Sequence, residues 1–362
     1  MNHVRVGIVG TSWWADEMHL PNLRSHPGAR ITGICGRNRE RAEAMARKYA
    51  IPAVYSDYRE MIASGGLDAL VVSTPDDLHY PITMAALEAG LHVLCEKPLA
   101  LKADQAREMA DKAAAKGVKT MVFFTLRGLP VHRYVKALLD AGYIGRCYHC
   151  TIQHFIGYGR SGGLGWRFDP QRGLGALGDL GSHAIDLAHW YVGPIVGVSA
   201  QLGRYVARRD ADAQPVEAAW DAALLSVRFA GGAQGVIQVS TVGHVGERGI
   251  QHQITLHGEK GTLEVGISLN NLKIRGIRDG KSRFRGLPVP ARFWGAADRS
   301  NPFSVFTYLS VGDRLFIDAI LNDQEISPDF AEGARVQEVI EAAITSERDQ
   351  AWISTFTSSH RT

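Results

Sequence analysis

This sequence has few cysteines, no long apolar run and no large excess of either charge. Four cysteines in 362 residues are too few for a disulfide framework. Gly, Asp, Arg and His interrupt every hydrophobic run short of the roughly 20 apolar residues that a membrane span needs, so no membrane association is expected. Forty Lys and Arg face 37 Asp and Glu, and the charges are interspersed, which gives no reason to expect a nucleic-acid partner.

The N-terminus and the cysteine spacing also exclude some classes. A strand-like segment begins at Val4, without the apolar stretch and cleavage site of a signal peptide, so a cytoplasmic location is expected. Cys147 and Cys150 form a C-x-x-C, but they lie in an alternating, strand-like stretch and have no second ligand pair. Plain structural thiols are favoured over a zinc or redox site.

Two kinds of local pattern divide the chain. From residue 4 to about 124, short β-rich apolar runs alternate with amphipathic helical segments, which predicts a doubly wound parallel sheet of the α/β Rossmann type. After Pro130, β-type runs and glycine-rich turns dominate, which indicates an α+β domain with a large, mostly antiparallel open sheet. The predicted domains are residues 1–124 and 125–362.

The first strand runs into a loop that resembles a dinucleotide-binding turn. Gly10 and Ala15 fit the first and third small positions of G-x-G-x-x-G/A, whereas Ser12 replaces the second glycine. Its side chain narrows the approach to the phosphates, but its hydroxyl can donate a hydrogen bond, and the helix N-terminus offers backbone N–H groups. The candidate cofactor contacts in this loop are Gly10, Thr11, Ser12, Trp13 and Trp14. One tryptophan is a candidate for sheltering the nicotinamide or a sugar face, with ordinary packing as the alternative.

The end of the second strand bears on the choice of cofactor. An NAD site usually carries an acid there for the ribose hydroxyls, but this strand ends in Arg37, Asn38 and Arg39. A guanidinium can grip a 2′-phosphate bidentately, so Arg37 and Asn38 are candidate contacts and NADP is preferred over NAD. The alternative is that Arg37 is a solvated charge at the start of a helix.

Three later motifs carry a family resemblance. They are Ser73-Thr-Pro-Asp-Asp-Leu-His79, Cys95-Glu-Lys-Pro98 and Gly175-Ala-Leu-Gly-Asp-Leu-Gly-Ser-His-Ala-Ile-Asp186. Together they resemble the glucose-fructose oxidoreductase and myo-inositol dehydrogenase family, Gfo/Idh/MocA, along nearly the whole chain. The resemblance implies hydride transfer between NADP or NAD and a sugar, cyclitol or related polyol, in a homodimer or homotetramer. It also implies further cofactor contacts by Thr74, Pro75, His79, Glu96 and Lys97.

Three residues are the catalytic candidates. Lys97 lies at the carboxyl end of a parallel strand, where ligands bind in open α/β sheets, and can stabilise charge on a substrate oxygen. At about 100° per residue, Asp179, His183 and Asp186 fall within roughly 60° of one helix face. We predict that His183 is the general base on oxidation and the acid on reduction. The resemblance implies that Asp179 orients this histidine or holds a neighbouring substrate hydroxyl.

Further residues complete the predicted site. Arg127, Trp166 and Arg167 match family positions and are predicted, with Lys97, Asp179 and His183, to line the substrate pocket, with ordinary packing as the alternative. Asp179 and His183 have the spacing of helical zinc ligands, but no third and fourth ligands are evident, so no metal is expected. Two other functions stay open: a cofactor-binding regulatory protein without turnover, and a glycoside-cleaving enzyme that uses bound NAD(P) for transient oxidation.

Overall fold

The computed structural model describes residues 2–269 and 271–355. Its strands are β1 (Val4–Val9), β2 (Ala29–Cys35), β3 (Ala53–Tyr55), β4 (Ala69–Val72), β5 (His92–Cys95), β6 (Thr120–Val122), β7 (Cys147–Ile156), β8 (Ile195–Gly203), β9 (Arg208–Arg209), β10 (Pro215–Val216), β11 (Ala222–Phe229), β12 (Gln234–Ser240), β13 (Ile250–Gly258), β14 (Gly261–Ser268), β15 (Asn271–Arg278), β16 (Arg285–Gly286) and β17 (Ile353–Ser354).

The α-helices are α1 (Leu20–Ser25), α2 (Arg39–Tyr49), α3 (Tyr58–Ala63), α4 (His79–Glu88), α5 (Ala103–Lys116), α6 (Thr125–Gly128), α7 (Pro130–Asp140), α8 (Gly165–Phe168), α9 (Ser182–Val192), α10 (Val305–Tyr308), α11 (Asp313–Leu321) and α12 (Phe330–Asp349). Two further helical turns, Ala15–His19 and Leu177–Gly181, are of the wider π type, in which each N–H bonds five residues back.

The N-terminal sheet is parallel throughout, with strand order β3-β2-β1-β4-β5-β6. All four residues of β4 are buried, as expected for a strand covered by helices on both faces. The strand order reverses between β1 and β4, and the crevice for a ligand in such sheets opens at the carboxyl ends beside that reversal. The Rossmann prediction is confirmed.

The C-terminal sheet has nine strands in the order β16-β15-β14-β13-β7-β12-β11-β8-β17. Only β12 and β7 pair in parallel, and the other neighbours are antiparallel. Burial alternates along β11, so one face of this strand packs on the core and the other is more open. The prediction of a large, mostly antiparallel sheet is also confirmed.

The packing groups the chain into two compact units. The first is formed by the described residues up to Leu129 and by Trp294–Arg335, and the second by Pro130–Phe293 and the described residues from Val336. In the first unit, α11 packs against β1 and β5, and it buries Phe316 and Ile317 on one stripe. The predicted domains, residues 1–124 and 125–362, place Trp294–Arg335 in the C-terminal domain instead. Within the described part of the chain, no helix is long and apolar enough to cross a membrane.

A cluster of buried histidines lies inside the second unit. His154 of β7 and His252 of β13 are opposite each other in the sheet, with ring centroids 4.8 Å apart. His132 of α7 completes the cluster, 5.2 Å from the His252 ring, and its Nδ1 lies 2.8 Å from the Tyr191 hydroxyl. Among the described residues neither ring nitrogen of His252 has a hydrogen-bond partner. Burial lowers the pKa of His132 to about 3 and that of His252 well below its ordinary value, and His154 adds to both effects.

We expect this cluster to make the fold sensitive to acid. The unfolded rings accept protons below their ordinary pKa of 6.5, whereas the buried rings stay neutral, so their contribution to stability is present above that pH and lost below it. At pH 5 the loss is about 2 kcal/mol for each histidine. Between pH 7.5 and pH 5, the free energy of unfolding of His252→Leu should therefore fall by about 2 kcal/mol less than that of the wild type, measured by urea unfolding.

The matched control is His257→Gln, because His257 is exposed on the same strand. This variant should follow the wild-type pH dependence. If the free energy of unfolding fell equally for His252→Leu and the wild type, the acid sensitivity could not be assigned to the buried histidine cluster.

Candidate functional site

In the first unit, the turn after β1 passes very close to the end of β4. Gly10 has φ of +127°, and a Cβ built there would lie 2.0 Å from the carbonyl oxygen of Ser73. Only glycine fits this combination of conformation and contact. Beside it, the buried Oγ1 of Thr74 has no hydrogen-bond partner among the described residues. A tight glycine turn next to an unsatisfied hydroxyl fits a polar ligand such as a dinucleotide at these strand ends.

The remaining loop residues are placed by their own contacts. Ser12 Oγ accepts a hydrogen bond from Ala15 N at 3.2 Å, so the serine caps the first turn while its own O–H stays able to donate. Trp13 is 70% exposed, whereas Trp14 donates its indole N–H to Glu96 at 2.5 Å. The two tryptophans therefore have different environments, and only Trp13 presents a broad ring surface to solvent.

Three arginines lie near the end of β2, where the adenosine ribose binds in this fold. Arg39 pairs with Glu43 at 2.9 Å, and Arg41 NH1 lies 3.5 Å from the Thr11 carbonyl. Arg37 is exposed and forms no ion pair with any residue in the ranges that the structure describes. Asn38 caps α2, because its side chain accepts a hydrogen bond from Arg41 N at 2.9 Å.

His79 contacts the segments that follow two neighbouring strands, β4 and β5. Its ring is fully buried, with Nδ1 2.8 Å from the Pro98 carbonyl and Nε2 3.0 Å from the Thr74 carbonyl. Burial lowers the pKa of His79, so at neutral pH the ring donates one of these contacts. The histidine thus lies against both the Thr74-Pro75 and the Lys97-Pro98 segments and hydrogen-bonds one of their carbonyls, and a direct cofactor contact by it stays a prediction.

The Glu96-Lys97-Pro98 segment follows β5. The Lys97–Pro98 bond is cis, and the Lys97 side chain is half-buried. Glu96 is buried; its Oε1 is contacted by Trp14 Nε1 and by His19 Nε2, and its Oε2 accepts a hydrogen bond from the Lys97 N–H. The carboxylate of Glu96 is therefore occupied by protein donors, and Lys97 follows it directly at the strand end.

Arg127 is buried in α6 of the same unit. Its NH1 donates to Glu332 Oε1 at 2.8 Å and to Ser327 Oγ at 3.1 Å. These bonds commit one side of the guanidinium to the protein itself. A substrate contact by Arg127 stays a prediction.

In the second unit, a π-helical turn carries Asp179. The turn Leu177–Gly181 runs directly into α9, so Asp179 and His183 do not share a regular α-helix, and the α-helical spacing of about 100° per residue applies only from Ser182 onward. Such turns often occur at functional sites. Tyr158 donates its hydroxyl to Asp179 Oδ2 at 2.7 Å, and Arg167 Nε lies 3.4 Å from Oδ1. Asp179 is thereby held between a phenol and a guanidinium.

The backbone before this turn is also constrained. Gly175 has φ of +58°, and a Cβ there would lie 2.1 Å from the Trp220 carbonyl, which accepts a hydrogen bond from Ala176 N at 2.7 Å. His183 and Asp186 follow on α9, where His183 is 8% exposed and Asp186 is fully buried. Trp166 and Arg167 stack on each other, with the guanidinium 4.3 Å from the ring centroid.

A buried arginine anchors the segment that carries Tyr158. Arg208 donates to the carbonyls of Gly159 and Gly163 at 3.0 Å and 2.9 Å and pairs with the buried Asp221. Its guanidinium also lies 3.5 Å from the centroid of the Phe168 ring. Arg208 thereby ties the loop that follows Tyr158 to the second unit at two points, Gly159 and Gly163.

The structure groups the predicted residues within each unit and adds others that the sequence did not reveal. Lys97, Glu96, Trp14, Thr74 and His79 lie around the strand ends of the first unit, and Asp179, Trp166 and Arg167 lie together in the second. Tyr158 and Arg208 were not predicted, and neither were His19 and Asp313. In the described ranges, no group of three or more His, Cys, Asp or Glu side chains could hold a metal ion.

Comparison with known families decides the class of the protein. A model described as an oxidoreductase family with an NAD-binding Rossmann fold matches residues 4–124, and the Gfo/Idh/MocA C-terminal domain model matches residues 132–264. The chain belongs to the Gfo/Idh/MocA oxidoreductase family. The resemblance inferred from the sequence motifs is confirmed, and the chain is an NAD(P)-binding oxidoreductase of this family.

Gfo/Idh/MocA relatives with named activities are similar over much of the chain. Levoglucosan dehydrogenase of Pseudarthrobacter phenanthrenivorans is 29% identical over 88% of this chain and 88% of its own length. D-glucoside 3-dehydrogenase of Escherichia coli is 31% identical over 62% of this chain and 64% of its own. A structure of levoglucosan dehydrogenase with NADH and levoglucosan aligns with a TM-score of 0.89 at 25% identity, covering 98% of this chain and all of that one.

Proposed function

We propose that this protein transfers a hydride between a nicotinamide cofactor and a carbon that bears a secondary hydroxyl on a pyranose ring or a similar cyclic polyol. The observation that carries the proposal is the presence of Lys97 at the β5 end together with an Asp179 carboxylate already held by Tyr158 and Arg167 ahead of His183. Two relatives named for acting on levoglucosan and on D-glucosides support a sugar ring as the substrate class.

The proposal gives each predicted residue its own role in the reaction. We assign Lys97 to hydrogen-bond the reacting oxygen, where its positive charge stabilises the charge that develops as the O–H bond breaks. His183 accepts the hydroxyl proton on oxidation and returns it on reduction. Asp179 holds a neighbouring hydroxyl, with Tyr158 and Arg167 fixing its two oxygens. When bound, the cofactor supplies the hydride acceptor or donor, so the alcohol loses one hydride and one proton and becomes a carbonyl.

A substrate panel tests this assignment. Levoglucosan, a methyl glucoside, glucose, xylose and myo-inositol are each incubated with NAD⁺ and with NADP⁺, and absorbance at the reduced-nicotinamide band is followed beside product analysis. We expect reduced cofactor to accumulate with at least one ring polyol. Cleavage of the glucoside without net reduction would favour the glycoside-cleaving alternative, and tight cofactor binding without product would favour the regulatory one. Either result would contradict the proposal.

The arginines at the end of β2 support NADP as the preferred cofactor. Arg39 is engaged by Glu43, and Arg41 reaches back to the phosphate loop, which leaves the exposed Arg37 as the guanidinium available to a 2′-phosphate. The residues that directly follow β2 in the sequence, Gly36 to Arg39, include no acid that would oppose that phosphate.

We expect Arg37→Asp to reverse this preference. Loss of a charge-assisted contact and the added repulsion should raise the Kd for NADPH at least about 10-fold, while the Kd for NADH changes little or falls. Fluorescence titration of the reduced cofactors measures both values. Arg47→Asp, an equal charge change on an exposed position of α2, should leave the ratio of the two Kd values unchanged. The idea fails if wild-type protein binds NADPH no more tightly than NADH.

A further inference from the structure

A fully buried histidine, His19, contacts the Glu96-Lys97 segment. His19 ends the π-helical turn that follows the phosphate loop. Its Nδ1 lies 2.8 Å from Asp313 Oδ1 of α11, and its Nε2 lies 3.1 Å from Glu96 Oε1. Two carboxylates on the two ring nitrogens are satisfied together only by an imidazolium, which donates from both positions. Burial disfavours that charge, but the two carboxylates outweigh it and raise the pKa of His19 to about 10.

Glu96 is the centre of this arrangement. Its Oε1 faces two donors from the phosphate-loop segment, Trp14 Nε1 and His19 Nε2, while its Oε2 faces the N–H of Lys97. A carboxylate has acceptor sites for all three donors, whereas a carboxylic acid gives up one oxygen as a donor. The ionised state of Glu96 is therefore what joins the phosphate loop to the backbone of Lys97.

The charges around Glu96 show what maintains that state. Burial raises the pKa of Glu96, and the charge and hydrogen bond of His19 outweigh it, with smaller contributions from Lys97 and Trp14. Asp313 lies on the far side of His19, and burial raises its own pKa. His79 and the thiol of Cys95 also interact with Glu96, and burial disfavours the charge of both. His19 is thus the main cation that stabilises the buried carboxylate.

We propose that His19, held by Asp313, is a positioning residue that keeps Glu96 ionised and so couples the phosphate loop, through Trp14, to the placement of Lys97. The coupling to Lys97 rests on the proposed function, whereas the coupling to the phosphate loop requires only that the cofactor binds. Loss of the imidazolium would leave a buried carboxylate without its cation, and the expected response is that Glu96 takes up a proton.

The test compares His19→Gln with His26→Gln. The glutamine amide can replace the Nε2 donor to Glu96 but carries no charge, so this variant separates the charge from the hydrogen bond. His26 is a matched control, because it is also buried in the first unit and also bonds an α11 carboxylate, Asp318, at 2.9 Å, without any contact to Glu96. Cofactor Kd and kcat are measured from pH 6 to pH 9, and thermal unfolding is followed in parallel.

For the wild type and His26→Gln we expect a nearly constant cofactor Kd over this range. For His19→Gln the pKa of Glu96 rises once its cation is lost, so the carboxylate is neutral at the acidic end and the Kd should increase at least about 10-fold between pH 8 and pH 6. Adding Glu96→Gln to His19→Gln removes the titrating group and should flatten the profile. A merely structural role for His19 would lower the melting temperature without creating this pH dependence.

The outcomes separate the inference from the proposed function. If no substrate turns over but His19→Gln alone shows the pH-dependent Kd, the positioning role is supported and the hydride-transfer assignment is not. If a substrate turns over, kcat of His19→Gln should fall further on the acidic side than kcat of the wild type and of His26→Gln, which fall only as His183 takes up a proton. A His19→Gln profile that follows the wild type in both measurements overturns the inference. If His19→Gln does not fold, Glu96→Gln, which fixes the uncharged state of that side chain, should raise the cofactor Kd at every pH from 6 to 9, and a wild-type Kd in that variant also overturns the inference.

Discussion

Replacing Lys97 by methionine should lower kcat on the best substrate of the panel by about 10²- to 10⁴-fold. Methionine retains most of the length of the side chain and removes the ammonium group, so the substrate oxygen loses its charged hydrogen-bond donor when its own charge develops. The backbone of the segment keeps its bond to Glu96 and its contact with His79 through the Pro98 carbonyl. The loss should therefore appear mainly in kcat, measured by steady-state kinetics with saturating cofactor.

The control for this change is Lys102→Met, which removes an exposed lysine five residues further along the chain. It should keep kcat within about twofold of the wild type, as expected for a surface substitution away from the site. A Lys97→Met enzyme that retains more than a tenth of wild-type kcat would contradict the role given to Lys97. A large rise in cofactor Kd with unchanged kcat would instead assign Lys97 to cofactor binding.

The parallel sheet and its strand-end motifs could be predicted because their signals are local. A strand covered on both faces is a short, continuous apolar run, and β4 and β5 show such runs directly before the Thr74-Pro75 and Glu96-Lys97 segments. Ligands in open α/β sheets bind at those carboxyl ends, so a lysine there is conspicuous in the sequence alone.

The return of α11 to the first unit could not be predicted in the same way. Its periodicity shows that one face is apolar, but periodicity does not tell which sheet that face covers. The His19 network depends on this return, because Asp313 lies 294 residues from His19 and Glu96 lies 77 residues from it. A single histidine in a helical segment carries no signal of such distant carboxylates.

The contacts of Asp179 could not be predicted from the sequence, for a different reason. The spacing of Asp179 and His183 is the same in an α-helix and in a segment that starts with a π-turn, so the change in hydrogen bonding at Leu177–Gly181 leaves no mark on the sequence. Tyr158 lies in a glycine-rich loop 21 residues before Asp179, and Arg208 holds that loop from a short strand later in the chain. Only the packing of the second unit brings these side chains together.

Replacing His183 by alanine should lower kcat by about 10²- to 10⁴-fold, because the hydroxyl proton then has no positioned acceptor. His183 is nearly buried on α9, at a helical position where alanine is well tolerated by the backbone, so the helix itself should persist. The removed ring leaves a space of the shape of imidazole. Added imidazole should restore part of the rate in a concentration-dependent way, which a residue needed only for packing would not allow.

His189→Ala provides the matched control, since His189 lies six residues further along the same helix. It should retain kcat within a few-fold and show no response to imidazole. Steady-state rates of both variants are compared from 0 to 200 mM imidazole at constant ionic strength, with circular dichroism to confirm the helix content. If His183→Ala keeps near-wild-type kcat, the proton acceptor must be another group. If it is inactive but folded and imidazole restores nothing, Asp179, held by Tyr158 and Arg167, becomes the next candidate, because its carboxylate is a further proton acceptor four residues before His183.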